Sequence, residues 1–130
     1  MILADTSAWV EYLRDTGTRP HVLLRGLIEG DEPHVTTDTV LMEVLAGARD
    51  ERGLVASRAL LARCDFVPTQ SPSDHERAAE LYRTCRRGGA TIRNLSDCLI
   101  AAVALRTGAA VLHVDRDFDA IARFAPLEIA

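Results

Sequence analysis

The chain has no lysine: all 15 of its basic side chains are arginine. That absence removes whole classes of chemistry. A Walker A phosphate loop needs its lysine, a protein kinase needs the lysine of its strand, and a Schiff-base enzyme needs a lysine amine. The bias matches a GC-rich coding sequence, as do the 19 alanines, and the exclusions hold whatever its origin. Long apolar runs are missing too. No stretch approaches the roughly 18–20 residues of a membrane span, and the N-terminus has no basic region leading into a longer apolar run, so a cytoplasmic protein is expected. Cysteine is sparse: Cys64, Cys85 and Cys98 lie far apart without Cys-x-x-Cys spacing. An odd, scattered set makes a poor disulfide framework and reads as reduced, mostly buried thiols.

What is present suits one globular domain over residues 1–130, with 48% hydrophobic and 26% charged residues. The net charge of −4 argues against a protein that coats duplex nucleic acid, and leaves nucleic acid open as a substrate.

Patterning predicts strands alternating with helices. Met1–Ala4 is a short apolar run that stops at Asp5, and Trp9, Val10 and Leu13 then recur at helical spacing until Asp15 and Gly17. A second helix is expected over Arg19–Ile28, with Pro20 in its first turn and Gly30 as its stop. Pro33–Thr36 reads as a strand. Thr37 or Asp38 then caps a helix carrying Val40, Leu41, Val44, Leu45 and Ala48, with Gly47 inside it. Glu51–Cys64 reads as a helix, Asp65–Pro68 as a brief strand, and Ser71–Asp74 as the cap of a long helix through Arg87 that Gly88 and Gly89 end. Ser96 is expected to cap an apolar helix, Asp97–Arg106, closed by Gly108. Ala109–Val114 is a strand, Asp117–Arg123 a helix and Leu127–Ile129 a last strand. The alternation predicts an α/β fold with a mainly parallel sheet covered by helices on both faces.

The position of certain carboxylates is more informative. Asp5 and Asp115 directly follow apolar strands, which places both at the carboxyl edge of the sheet, where open α/β sheets bind ligands. Asp97 opens an otherwise apolar helix, Glu43 sits at the margin of its helix's apolar stripe where Gly47 is expected to leave room beside it, and Asp117 starts the last helix. Singly, these are ordinary caps and turn acids. Together they would repel one another unless a cation neutralised them. Oxygen ligands suit Mg²⁺ or Mn²⁺, and no His or Cys cluster has zinc spacing. A metal held this way serves phosphodiester hydrolysis, because it lowers the pKa of water and neutralises phosphoryl oxygens and the departing alkoxide. Thr6 and Ser7 could position water or phosphate, or simply cap the helix.

Met-Ile-Leu-Ala-Asp5-Thr6-Ser7, the central Glu43, Leu95-Ser96-Asp97 opening an apolar helix, and Asp115-Arg116-Asp117-Phe118 together resemble the PIN-domain nucleases, specifically the VapC toxins of bacterial toxin–antitoxin pairs. The resemblance spans the whole chain in order. It implies a PIN-like α/β/α sandwich of four to five short strands and about seven helices. It implies that Asp5, Glu43, Asp97 and Asp115 are the catalytic, metal-binding acids, with Asp117 an additional one. It further implies a Mg²⁺- or Mn²⁺-dependent endoribonuclease acting on structured RNA such as tRNA or rRNA, homodimeric and inhibited by a VapB-type antitoxin. Many relatives carry a polar residue before the fourth acid, where this chain has Val114; that puts polar support at this corner in question.

Without lysine, phosphate contacts fall to arginine, which suits bidentate recognition. Arg86, Arg87, Arg93 and Arg116 are the candidates for RNA contact. For Arg86 and Arg87 the alternative is a solvated helix end favoured by its dipole. Trp9 reads as core or dimer interface, His113 as a strand-end histidine with its polar atoms satisfied, and His21, His34 and His75 as surface residues. Phosphoaspartate receivers and haloacid-dehalogenase-like phosphatases also place acids at this sheet edge, yet by family resemblance both rely on a lysine. A non-catalytic metal- or partner-binding module stays open, although such a surface has no need to gather so many repelling acids. With the five site acids set aside, 14 acids face 15 arginines, so the acidic excess lies in the expected site.

Overall fold

In the computed structural model, which describes residues 1–130, the apolar run that opens the chain becomes β1 (Ile2–Ala4), a central strand. It pairs in parallel with β2 (His34–Thr36) through Leu3 opposite Val35, and with β4 (Ala110–Leu112) through Leu3 opposite Val111. With β3 (Asp65–Phe66) beyond β2, the sheet runs β3-β2-β1-β4 and every pairing is parallel. Successive strand residues face opposite sides. Leu3 and Ala4, Val35 and Thr36, and Val111 and Leu112 are all buried, so both faces are covered, as the α/β/α expectation requires.

Seven helices do the covering: α1 (Thr6–Leu13), α2 (Arg19–Glu29), α3 (Asp38–Ala46), α4 (Glu51–Leu61), α5 (Ser73–Arg87), α6 (Leu95–Thr107) and α7 (Arg116–Ala122). Helix α6 is buried almost all round, from Asp97 and Cys98 through Ile100 to Ala104, because its sequence has no polar face to offer water. It packs on α3, α5 and α7 and ends at Gly108, whose φ of +74° is left-handed backbone that glycine adopts without strain. Trp9, Leu24, Phe118 and Ile121 complete a core that also holds the three free thiols. Burial pushes the Cys64 thiol up to about 11 and the Cys98 thiol up to about 12, which makes both poor nucleophiles.

Several expectations are corrected. Gly47 lies at the C-cap of α3, not inside it, and a Cβ there would meet only ordinary contacts, so no special room beside Glu43 depends on it. Asn94 caps α6 in place of Ser96, since its Oδ1 accepts from both Ser96 N (3.2 Å) and Ser96 Oγ (2.8 Å). Asp115 caps α7, which therefore begins at Arg116. The expected strand at Leu127–Ile129 is a single bridge between Ile129 and Val111. His21 and His34 are buried: His21 Nδ1 accepts from Gly17 N at 2.9 Å, and His34 Nδ1 lies 2.8 Å from Glu32 O. His75 is exposed, as expected. The edge strand β3 has two residues, both exposed, a short and charged edge that resists further pairing. No helix is long and apolar enough to cross a membrane.

Candidate active site

Because the strands are parallel, the residues that follow β1 and β4 meet at one edge. Asp5 N donates to Leu112 O at 2.9 Å, and Val114 N donates to Ser7 Oγ at 3.1 Å, which ties the two strand ends together. Ser7 Oγ in turn donates to Asp5 Oδ2 at 2.6 Å, and Ser7 N donates to the same oxygen at 3.0 Å. The polar link missing from the Val114 side chain is thus supplied by its main chain. Asp5 is buried, and its other oxygen, Oδ1, has no hydrogen-bond partner.

Asp97 enters from the first turn of α6 and is 3% exposed, with Oδ2 also unpartnered. Carboxylate oxygens of Asp97, Asp115 and Asp117 all lie within 4.8 Å of one another. Asp115 Oδ1 caps α7 by accepting from Asp117 N at 2.9 Å. Asp117 has a second role: its oxygens accept from Arg93 N (3.1 and 3.2 Å) and Asn94 N (3.0 Å), so it anchors the loop that delivers Asp97. Glu43 stands outside this triad. It is half-buried on α3, with Oε1 accepting from Thr6 Oγ1 at 2.9 Å and Oε2 3.5 Å from Ser96 Oγ. It also lines a groove of about 450 Å³ with Val10, Leu13, Arg14 and Arg49.

The electrostatics follow from this crowding. Burial, then the negative charge of Asp5, then a hydrogen bond to Asp117 and the charges of Asp115 and Asp117 push the Asp97 carboxyl up to about 9. Burial also raises Asp5; its hydrogen bonds from Ser7 and Thr6 oppose that, and the charge of Glu43 reinforces it. The donor set is all oxygen, two buried carboxylate oxygens lack any partner, and three acids converge within ligand distance. Such a set fits a hard divalent cation.

The arginines divide. Arg93 and Arg116 line a second groove, of about 570 Å³, whose wall includes Asp117. Arg86 lies over the Tyr82 ring at 5.7 Å and Arg87 reaches Thr84 Oγ1 at 3.5 Å; neither lines this groove. Sequence reasoning missed Arg123, which does. The available signal was its spacing of seven from Arg116, two helical turns and therefore one face. Trp9 is core. His113 does not meet its expectation: it is buried against Phe118, and neither ring nitrogen makes a hydrogen bond, although Asp119 Oδ1 lies 3.4 Å from Nε2.

A family model for the PIN domain matches residues 2–124. Ribonuclease VapC11 of Mycobacterium tuberculosis is 41% identical over 131 residues, covering 100% of this chain and 98% of that protein, and a VapC ribonuclease of Mycobacterium bovis matches to the same extent. Among solved structures, the VapBC2 complex of Rickettsia felis bound to a promoter DNA fragment superposes with a TM-score of 0.73 at 19% identity, covering 100% of this chain and 98% of that one. The sarcin–ricin loop cleaving toxin VapC20 of Mycobacterium tuberculosis gives 0.70 at 23% identity, covering 98% and 99%. Those two likenesses concern the fold. The family model and the full-length sequence relatives decide membership: the chain belongs to the PIN domain family.

Proposed function

We propose that the chain is a metal-dependent endoribonuclease, the toxin of a toxin–antitoxin pair. The observation that carries this reading is the group of mutually repelling carboxylates at the carboxyl edge of the sheet, Asp5, Asp97 and Asp117 buried and Asp115 partly so, of which Asp5 and Asp97 each keep an oxygen without a partner. Identity of 41% to VapC ribonucleases over the full chain supports RNA as the substrate. Asp97, Asp115 and Asp117 would hold Mg²⁺ or Mn²⁺, with Asp5 completing the negative field and Glu43 at the rim. A bound divalent ion would supply the positive charge that acidifies water and stabilises phosphoryl and alkoxide oxygens. The chain's own side chains fix the geometry. Ser7 orients Asp5 and clamps β4 to α1, Thr6 orients Glu43, and Asp117 holds the Arg93–Asn94 backbone so that α6 presents Asp97 inward. A VapB-type antitoxin is the proposed inhibitor, with the toxin a cytoplasmic homodimer within a toxin–antitoxin hetero-oligomer.

The test compares wild type with Asp5→Asn and Asp97→Asn on total cellular RNA, with Mg²⁺ or Mn²⁺ and with EDTA. Cleavage is expected from the metal-supplied wild type alone. Equal cleavage in every arm would overturn the metal-site assignment, and a wild type that cuts no RNA would favour a binding module.

A further inference from the structure

The groove beside the acid cluster carries three arginines, Arg93, Arg116 and Arg123, in a volume of about 570 Å³. None of them forms an ion pair, whereas Arg77 pairs with Glu80 and Arg106 with Asp74. Neither of the groove's two acids forms an ion pair with these arginines. Asp117 is buried, with its oxygens taken by the Arg93 and Asn94 amides, and Asp119 lies beside His113. Three unpaired guanidinium groups in one concavity repel each other and favour an anion. Arg123 also lies over an aromatic ring, with its guanidinium carbon 5.2 Å from the centre of Phe124. Phe124 is seated against Gly88, where an added Cβ would come within 2.2 Å of the ring. That glycine therefore permits the platform on which Arg123 rests.

Asp117 belongs both to the acid cluster and to the groove wall, so the groove borders the site. An RNA chain with one phosphate at the acids would run a neighbouring phosphate past these arginines. We propose that Arg93, Arg116 and Arg123 form a phosphate-binding groove that seats the RNA backbone next to the acid site, outside the metal-binding set. The proposal rests on reading the chain as a ribonuclease. Being a backbone contact, it sets register and affinity and carries no base preference of its own.

The experiment measures binding without chemistry. Fluorescence anisotropy with a fluorescein-labelled, mixed-sequence single-stranded RNA oligonucleotide is followed against salt in EDTA. Each arginine that contacts a phosphate contributes about 0.7 to the slope of log K against log salt for a single strand. The variant with all three arginines changed to alanine should lose about 2 from that slope. A control variant with Arg25, Arg52 and Arg83 changed to alanine, all exposed and outside both grooves, removes the same charge and should keep the slope. Arg123→Lys should keep the slope and bind more weakly. Equal slopes for wild type and the groove variant, an equal loss in the control, or no binding by wild type would each overturn the groove. The single substitutions are read in the same way should the triple variant melt early. Restoring Mn²⁺ separates the two ideas. Arginine-dependent binding without cleavage defeats the nuclease and keeps the groove; cleavage with arginine-independent binding does the reverse.

Discussion

Two regions of this molecule shield an aspartate from solvent to the same extent and treat it in opposite ways. Asp74, at the start of α5, and Asp97, at the start of α6, are each 3% exposed. Around Asp74 the partners are complete: Arg106 donates from Nε at 3.1 and 3.2 Å and from Nη2 at 2.9 Å, and Gln70 N donates at 2.8 Å. Burial works against its charge, but the guanidinium and the amide outweigh burial and hold the carboxyl below the usual range. No basic side chain pairs with Asp97, one of its oxygens is orphaned, and burial with the neighbouring acids pushes the carboxyl up to about 9. Solvent exposure alone therefore says little about function. A charge that is buried and left without a counter-charge in a folded protein points to a missing ligand; one that is fully partnered points to architecture.

The largest expected effect tests that division by activity. Asp97→Asn should lower RNA cleavage about a thousandfold while the fold persists. Arg106→Ala should leave cleavage within about twofold below its melting point; a comparable loss from both would erase the distinction. Next in size is stability. Arg106→Ala turns Asp74 into a second uncompensated carboxylate, and should destabilise the protein by about 3 kcal/mol in chemical unfolding. A loss under about 0.5 kcal/mol would mean that the pair was never structural.

The pH dependence of the two regions has opposite sign. Asp74 has a depressed folded pKa, so its contribution is complete above its unfolded value near 4 and disappears as pH falls. Asp97 has a raised one, so the folded state holds a proton that the unfolded chain has lost. Stability should then decrease as pH rises from about 4 towards about 9 in metal-free protein. Melting temperatures in EDTA should rise by several degrees from pH 9 to pH 6 in wild type and stay nearly flat in Asp97→Asn. A flat wild-type curve would show that Asp97 already has a partner. The smallest effect concerns Ser7, which joins Asp5 to β4. Ser7→Ala should cost about 1 kcal/mol and roughly tenfold in cleavage; an unchanged rate would make Ser7 a helix cap only.

Much of this was legible in the sequence because it depended on local chemistry. The apolar runs before Asp5 and Asp115 had to be strands, and an apolar helix opened by Asp97 had to bring that carboxylate into the interior. Parallel strands then placed the acids on one edge. What escaped was set by contacts across the chain. Asn94 and Ser96 are both good caps, and only the loop anchored on Asp117 decides between them. His21 is buried through a turn whose Gly17 amide it accepts, and His34 through a neighbouring strand; neither shows in periodicity. The tail at Ile129 had the composition of a strand, but it makes only one bridge. Arg123 gained its place from Phe124 packing on Gly88, a contact between α5 and the end of α7 that no short window contains.

The most direct test of the contrast between the two aspartates is calorimetric titration of Mn²⁺ at pH 7 in buffers of different ionisation enthalpy. If Asp97 keeps its proton until a cation arrives, binding should be saturable and release about one proton in wild type and in Arg106→Lys. Both signals should vanish in Asp97→Asn. Binding that survives unchanged in Asp97→Asn, or a wild type that binds no Mn²⁺, would contradict the account.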